Sequence, residues 1–383
     1  MYMLYSLVKP LLFRLEAERA HKLIAGLLRA ASRTPLLDLI RVFADYSDPI
    51  LATACAGLPF QNPLGLAAGF DKRGTLIRPM AALGFGHVEV GTVTPRPQPG
   101  NDRPRLFRLP EDRALINRLG FNSPGMIAVA RNLRDYRPPT TDHCLFPSSV
   151  ACPERSRRVG RQSSVVVGVN IGKNRTTPLD RAAEDYRAAF IALAPLADYV
   201  AINISSPNTP ELRRLHERTA LEALLSELAR LNHGLAAPRP LFLKVSPDET
   251  REQLADAAQA GATAGIAGLI ATNTTLARGG LRSAHAGQAG GLSGQPLQQQ
   301  ARHTIAELFA LTGGAPPIIG VGGVASAADA YAHIRAGASL VQLYTGLIYE
   351  GPGLVYTIKR DLARLLRRDG FQSVAEAVGT DPL

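Results

Sequence analysis

Eight short apolar runs recur along this 383-residue chain from about residue 60, most of them followed by a stretch with helical periodicity. They are Leu64–Ala68, His87–Gly91, Val165–Asn170, Tyr199–Ile204, Leu241–Val245, Ile266–Ala271, Pro317–Val321 and Leu340–Tyr344. Between them, helical spacing is clearest over Thr219–Leu231, Thr250–Ala260 and Ala327–Arg335. Parallel neighbours need a long crossover connection, so alternating strand and helix predicts an α/β fold with a parallel sheet. Eight such units predict a closed (β/α)8 barrel rather than an open sheet. The barrel is expected to occupy residues 46–383, behind a helical segment over 1–45.

In such barrels the loops at the C-terminal ends of the strands build the site. Here those ends carry small, amide, hydroxyl or Lys groups: Ala68-Gly69-Phe70-Asp71-Lys72, Thr92, Asn170, Asn203 to Asn208, Lys244, Thr272-Asn273-Thr274, Gly322-Gly323 and Tyr344-Thr345. Glycines let backbone N–H groups approach phosphate oxygens. The loops at Gly323 and Thr345, after the seventh and eighth runs, therefore predict a phosphate cradle, with Gly290-Gly291-Leu292-Ser293-Gly294 as a further wall. Lys244 ends an apolar strand and points to an anion or a Schiff base. Asn117, Asn203, Asn208 and Asn273 offer neutral amides that suit a ring of alternating C=O and N–H groups, with Lys72 as a carboxylate partner. Ser206 lies in Asn203–Pro210 with no GxSxG elbow and no His motif beside it, which disfavours a hydrolase triad. It reads instead as a general base, with Thr209 or water as its relay.

The N-terminal segment is amphipathic. Leu4, Leu7, Val8, Leu11, Leu12 and Leu15 follow one helical stripe; Ala20, Leu23, Ile24, Leu27 and Leu28 follow a second, and Ser32 to Pro35 breaks it. Residues 1–34 carry six Lys/Arg against two Glu, so this hairpin is able to lie on a bilayer as well as pack on its own domain. Residues 137–163 show neither period and read as a surface insertion. The formal net charge of +11 suits anionic partners. With no Trp and no basic stripe interleaved with aromatics, nucleic acid is not expected. Three cysteines without CxxC spacing predict no metal site and no disulfide scaffold.

The motifs AAGFDK (67–72), EVGTVTPRPQPGN (89–101), NRLGFNSPG (117–125), NIGKN (170–174), NISSPNTP (203–210), ATNTT (271–275), GGLSG (290–294), GVGG (320–323) and QLYTG (342–346) resemble dihydroorotate dehydrogenase in order and spacing. Ser206 and the N-terminal PLLFxLxxExAH pattern resemble its quinone-linked class, class 2. The resemblance implies an oxidoreductase of pyrimidine biosynthesis that acts on a CH–CH bond, takes dihydroorotate to orotate on FMN, and passes electrons to a membrane quinone. It implies FMN contacts at Ala68, Gly69, Phe70, Asp71, Lys72, Thr92, Asn170, Asn203, Lys244, Thr272, Gly294, Gly323, Tyr344 and Thr345. It implies substrate contacts at Lys72, Asn117, Arg118, Leu119, Gly120, Phe121, Asn203, Asn208, Asn273 and Thr274, with Ser206 as base. The quinone would enter between the N-terminal helices, and the chain would sit peripherally on the cytoplasmic side of the cell membrane. A Schiff-base aldolase at Lys244 is the enzymatic rival, and a membrane-surface module the non-enzymatic one. A nicotinamide dehydrogenase is weaker, because no GxGxxG opens a first βαβ unit.

Overall fold

The computed structural model describes residues 2–44, 46–136, 165–209 and 217–381. The proposed insertion at 137–163 lies outside the described residues.

Three helices lead the chain: α1 (Tyr2–Arg14), α2 (Ala17–Ala31) and α3 (Leu36–Ala44). The third departs from the expected two-helix hairpin. Pro35, read as a breaker, sits at its entrance, and the Pro35 carbonyl accepts from the N–H groups of Asp38 and Leu39. A proline without an N–H costs nothing there, since the first N–H groups of a helix have no internal partner.

Thirteen strands follow among the described residues: β1 (Thr53–Cys55), β2 (Leu58–Phe60), β3 (Leu64–Leu66), β4 (His87–Val93), β5 (Leu106–Leu109), β6 (Ala114–Asn117), β7 (Val166–Ile171), β8 (Tyr199–Asn203), β9 (Leu241–Val245), β10 (Gly268–Ala271), β11 (Gly291–Gly294), β12 (Ile318–Val321) and β13 (Ala338–Leu343). Eight of them close a barrel in the order β3, β4, β7, β8, β9, β10, β12, β13. Every pairing in it is parallel, and β13 returns to β3. The expected eight runs overlap these strands to within two residues at each end. Strands covered on both faces must be apolar throughout, which is why they read as runs and not as alternations.

Two additions position the site. The antiparallel hairpin β1–β2 carries Cys55 and Phe60 into an apolar cluster with Val166, Tyr199, Phe242, Ile270, Ile319 and Leu340, away from the phosphate-loop end. An antiparallel sheet, ordered β11–β6–β5, brings Leu106, Leu115, Asn117 and Ser293 to the opposite mouth.

Helix α2 docks through a buried charge cluster. The Glu18 carboxylate accepts from Arg105 Nε and Nη2 at 3.0 Å each and from Arg103 Nη2 at 3.0 Å. Arg105 also donates to the Pro99 and Asn101 carbonyls. The Arg105 hydrogen bond, outweighing burial, lowers the Glu18 pKa to about 2 from an ordinary 4.5. A depressed carboxylate contributes stability above its unfolded value and loses it as pH falls. We therefore expect α2 to loosen between about pH 4.5 and 2. Proteolysis within α2 across that range checks this, and Glu18→Gln should flatten the pH dependence.

Candidate active site

At the C-terminal ends of the barrel strands lies a cavity of about 1030 Å³, its open mouth included. Its wall includes Ala68, Gly69, Lys72, Thr92, Asn117, Leu119, Gly120, Phe121, Asn203, Ser206, Asn208, Lys244, Thr272, Asn273, Thr274, Gly294, Gly323, Tyr344 and Thr345. Residues from every barrel-strand end except that of β7 thus meet in one place.

The asparagines converge as expected. Asn208 Nδ2 donates to Asn117 Oδ1 at 3.2 Å, and Asn273 Nδ2 donates to Asn203 Oδ1 at 3.3 Å. Asn203 Nδ2 in turn donates to Thr92 Oγ1 at 3.0 Å and Asn170 Oδ1 at 3.1 Å. The register of β8 on β9 sets Asn203 beside Lys244. Ser206 is buried, and its Oγ accepts from the Asn208 N–H at 3.3 Å. Thr209, three residues on, is buried with its hydroxyl unpartnered among the described residues.

At the far end the turns at Gly323 and Tyr344-Thr345 share the wall, and Ser293 Oγ lies 2.9 Å from Thr345 Oγ1. Gly323 has φ +72°, and a Cβ there would stand 2.4 Å from Gln298 Cβ. Only glycine fits that turn without moving the helix behind it.

Phe70, Asp71, Asn170 and Arg118 are not on this wall. The Phe70 ring packs edge-on against His21 of α2 and against Tyr344, at 4.9 and 5.5 Å between centroids. The Asp71 carboxylate is occupied by the N–H groups of Arg73, Thr75 and Leu76, so it shapes its own loop. Asn170 stands behind Thr92, its Oδ1 accepting the Thr92 hydroxyl at 2.6 Å. Arg118 turns outward, over the Phe107 ring and onto Gln288 Oε1 and the Pro104 carbonyl.

Two polar residues were not singled out in the sequence. Glu89 lies fully buried inside the barrel, and Gln342 joins it while also lining the cavity. Room for this polar interior comes from missing side chains: a Cβ on Gly65 or Gly168 would stand 2.0 Å from the His87 or Tyr199 ring. Burial lowers the pKa of Lys244, and Glu89, 3.9 Å away, works against that. Lys72 falls to about 8 through burial and the nearby Arg105.

A second cavity runs between α2 and the barrel mouth, lined by Glu18, His21, Ala25, Phe70, Lys72 and Tyr344 among others. It shares Gly69, Lys72, Leu106, Leu119 and Tyr344 with the first.

Residues 50–366 match the family model described as dihydroorotate dehydrogenase. The chain belongs to the dihydroorotate dehydrogenase family. It is 63% identical over 380 residues to the dihydroorotate dehydrogenase (quinone) of Roseiflexus castenholzii, covering 99% of this chain and 97% of that one. It is 52% identical to the enzyme of the same name from Rhodospirillum rubrum, covering 98% and 94% of the two chains. Among solved structures, the ligand-free dihydroorotate dehydrogenase of Eimeria tenella superposes with a TM-score of 0.84 at 37% identity, covering 95% of this chain and 99% of that one. A complex of the same Eimeria enzyme with ferulenol gives 0.82 at 36%, covering 95% of each chain. These family members cover 95–99% of the chain.

Proposed function

We propose that the chain oxidises (S)-dihydroorotate to orotate on bound FMN and passes the electrons to a membrane quinone, in pyrimidine biosynthesis. The observation that carries this is one cavity that joins a glycine turn, a buried lysine, four asparagines and one buried serine. The residues present fit FMN. Gly323, Thr345 and Ser293 would hold its phosphate, while Thr92, Asn203, Lys244 and Thr272 would hold the ring system, with Asn170 bracing them from behind. When bound, FMN supplies a two-electron acceptor for the hydride leaving C6 of the substrate.

The chain does the rest by placement and proton handling. Asn117, Asn208, Asn203 and Asn273 orient the substrate ring through its C=O and N–H edges, and orientation alone removes much of a barrier. Lys72, mostly charged at pH 7 with a pKa of about 8, offers a partner for the carboxylate. Ser206 Oγ takes the C5 proton and hands its own on through Thr209 or water. Lys244 brings positive charge to the cavity floor, where reduction adds negative charge. Glu89, 3.9 Å away, favours the charged amine, against the neutral amine that a Schiff-base aldolase needs.

The absorbance spectrum of the purified protein, and its bleaching by anaerobic dihydroorotate, tests this reading. A colourless protein that binds no FMN would overturn it. Gly323→Ala should weaken FMN about tenfold, since a left-handed alanine pressed on Gln298 costs about 1–2 kcal/mol. Fluorescence titration of the FMN-free protein measures it.

Quinone access is proposed through the second cavity. Association with the cytoplasmic face of the cell membrane is proposed through α1, α2 and α3. Leu7, Leu11, Leu23, Leu27, Leu36, Leu39, Val42 and Phe43 are all exposed on these helices. Among the described residues no helix is long and apolar enough to cross a membrane.

A further inference from the structure

Inside the barrel, below the proposed flavin site, Glu89 is fully buried. Every group that bonds to it brings a proton. Asn170 Nδ2 donates to Oε1 at 2.8 Å, and Gln342 Nε2 and the Tyr199 hydroxyl donate to Oε2 at 2.9 and 3.1 Å. The Asn170 amide cannot turn over, because its Oδ1 already accepts from Thr92 and Asn203. Three donors therefore converge on this carboxyl group. Lys244 Nζ lies 3.9 Å from Oε1 and also lines the cavity, so the amine stands between the carboxylate and the proposed ring site.

The other titratable groups around this pair are neutral or distant. Burial drops His87 to about 3 and lifts Cys55 to about 12. Burial and the adjacent Glu89 raise the Tyr199 phenol well above its ordinary range. Lys72 lies elsewhere on the cavity wall, with Arg105 and Glu18 as its charged neighbours. Among the described residues, the acid and base that face each other inside the barrel are therefore Glu89 and Lys244. A buried charge of either sign is costly without its partner.

We propose that Glu89 is a positioning residue, the counter-ion that keeps Lys244 protonated and aimed at the cavity, and that it thereby sets how strongly this floor favours the reduced state of bound FMN. The second half rests on the FMN reading above; the first half does not. Glu89 touches neither substrate nor cofactor and acts through Lys244 alone. A floor of net charge zero gives Lys244 enough field to assist reduction without holding the electrons too tightly for their onward transfer.

The first readout needs no flavin. FMN-free protein is pulsed with acetic anhydride across a pH series, and acetylation of Lys244 is read by mass spectrometry. In Glu89→Gln the amine should titrate lower, so that acetylation at a fixed pH below the midpoint rises about tenfold, the equivalent of one pH unit. Glu89→Asp, which keeps the charge, should recover most of the original profile. An unchanged Lys244 profile in Glu89→Gln overturns the pairing. The second readout is the reduction potential of the flavin-loaded protein at pH 6, which should become more positive in Glu89→Gln because an uncompensated positive charge then faces the reduced ring. A shifted acetylation profile with an unmoved potential overturns the claim on the flavin and leaves the ion pair standing. Wild-type protein that takes up no FMN refutes the cofactor reading, and with it that second claim, while the acetylation result still decides the pair. If Glu89→Gln does not fold, Glu89→Gln/Lys244→Met removes both charges together. Folding of the double variant supports the pair, and a double as unfolded as the single overturns it.

Discussion

Replacing Ser206 with Ala is expected to slow reduction of the bound flavin by dihydroorotate about 10²–10⁴-fold, the usual worth of a general base. The substrate should still bind, because the side-chain amides of the four asparagines that would grip it are bonded to each other and to the scaffold; only the Asn208 backbone reaches the serine side chain. The Asn208 N–H occupies one lone pair of Ser206 Oγ and fixes where the oxygen points. What the oxygen lacks is basicity, and a serine hydroxyl needs somewhere to send its own proton. The Thr209 hydroxyl three residues on, buried and unpartnered among the described residues, is suited to that task. Ser206→Cys should therefore fall between serine and alanine. It should also show a pH dependence tied to a thiol, whose ordinary pKa of about 8.5 the hydroxyl does not share. Anaerobic stopped-flow absorbance separates this step from quinone turnover. If flavin bleaching in Ser206→Ala matches the wild type, the base lies elsewhere.

The barrel was legible because both faces of its strands are covered, which forces apolar runs, and because their polar ends stand out against those runs. What stayed hidden depends on contacts far apart in the chain. The strand Ala114–Asn117 pairs with Gly291–Gly294, and neither segment carries a strand signal by itself. The hairpin β1–β2 has only three residues in each strand, too few for a period to show. Glu89 was visible as one acid in an apolar strand, but its meaning required closure, which brings Gln342 and Lys244 inward from strands to either side of its own. Motif position also does not tell which way a side chain turns. Phe70, Asp71 and Arg118 sit within loops that line the cavity, yet point to α2, to their own backbone and to the outer sheet respectively. Of the two readings left open by the sequence of the N-terminal helices, packing on the domain is visible, through Glu18 and His21, while the other face stays bare.

That bare face sets the size of the last effect. Leu7, Leu11, Leu23 and Leu27 are 74%, 60%, 48% and 58% exposed. Fully burying a leucine is worth about 1.5–3 kcal/mol, so moving the uncovered half of each into a bilayer gains about 1 kcal/mol apiece. Four together give about 4 kcal/mol, or roughly three orders of magnitude in vesicle partitioning. Changing all four to Ser should cost most of that, while leaving the Glu18–Arg105 dock untouched. Flavin reduction by dihydroorotate and turnover with a water-soluble short-chain quinone should persist. Turnover with a long-chain quinone held in vesicles should collapse. Basic side chains border these helices at Lys9, Arg14, Arg19, Lys22, Arg29 and Arg33, so binding should also rise with the anionic lipid fraction and fall with salt. Co-sedimentation with phosphatidylglycerol-containing vesicles, run beside both quinone assays, reads all of this at once. Equal loss of soluble-quinone and vesicle-quinone turnover would mean that the leucines serve the fold and not a membrane.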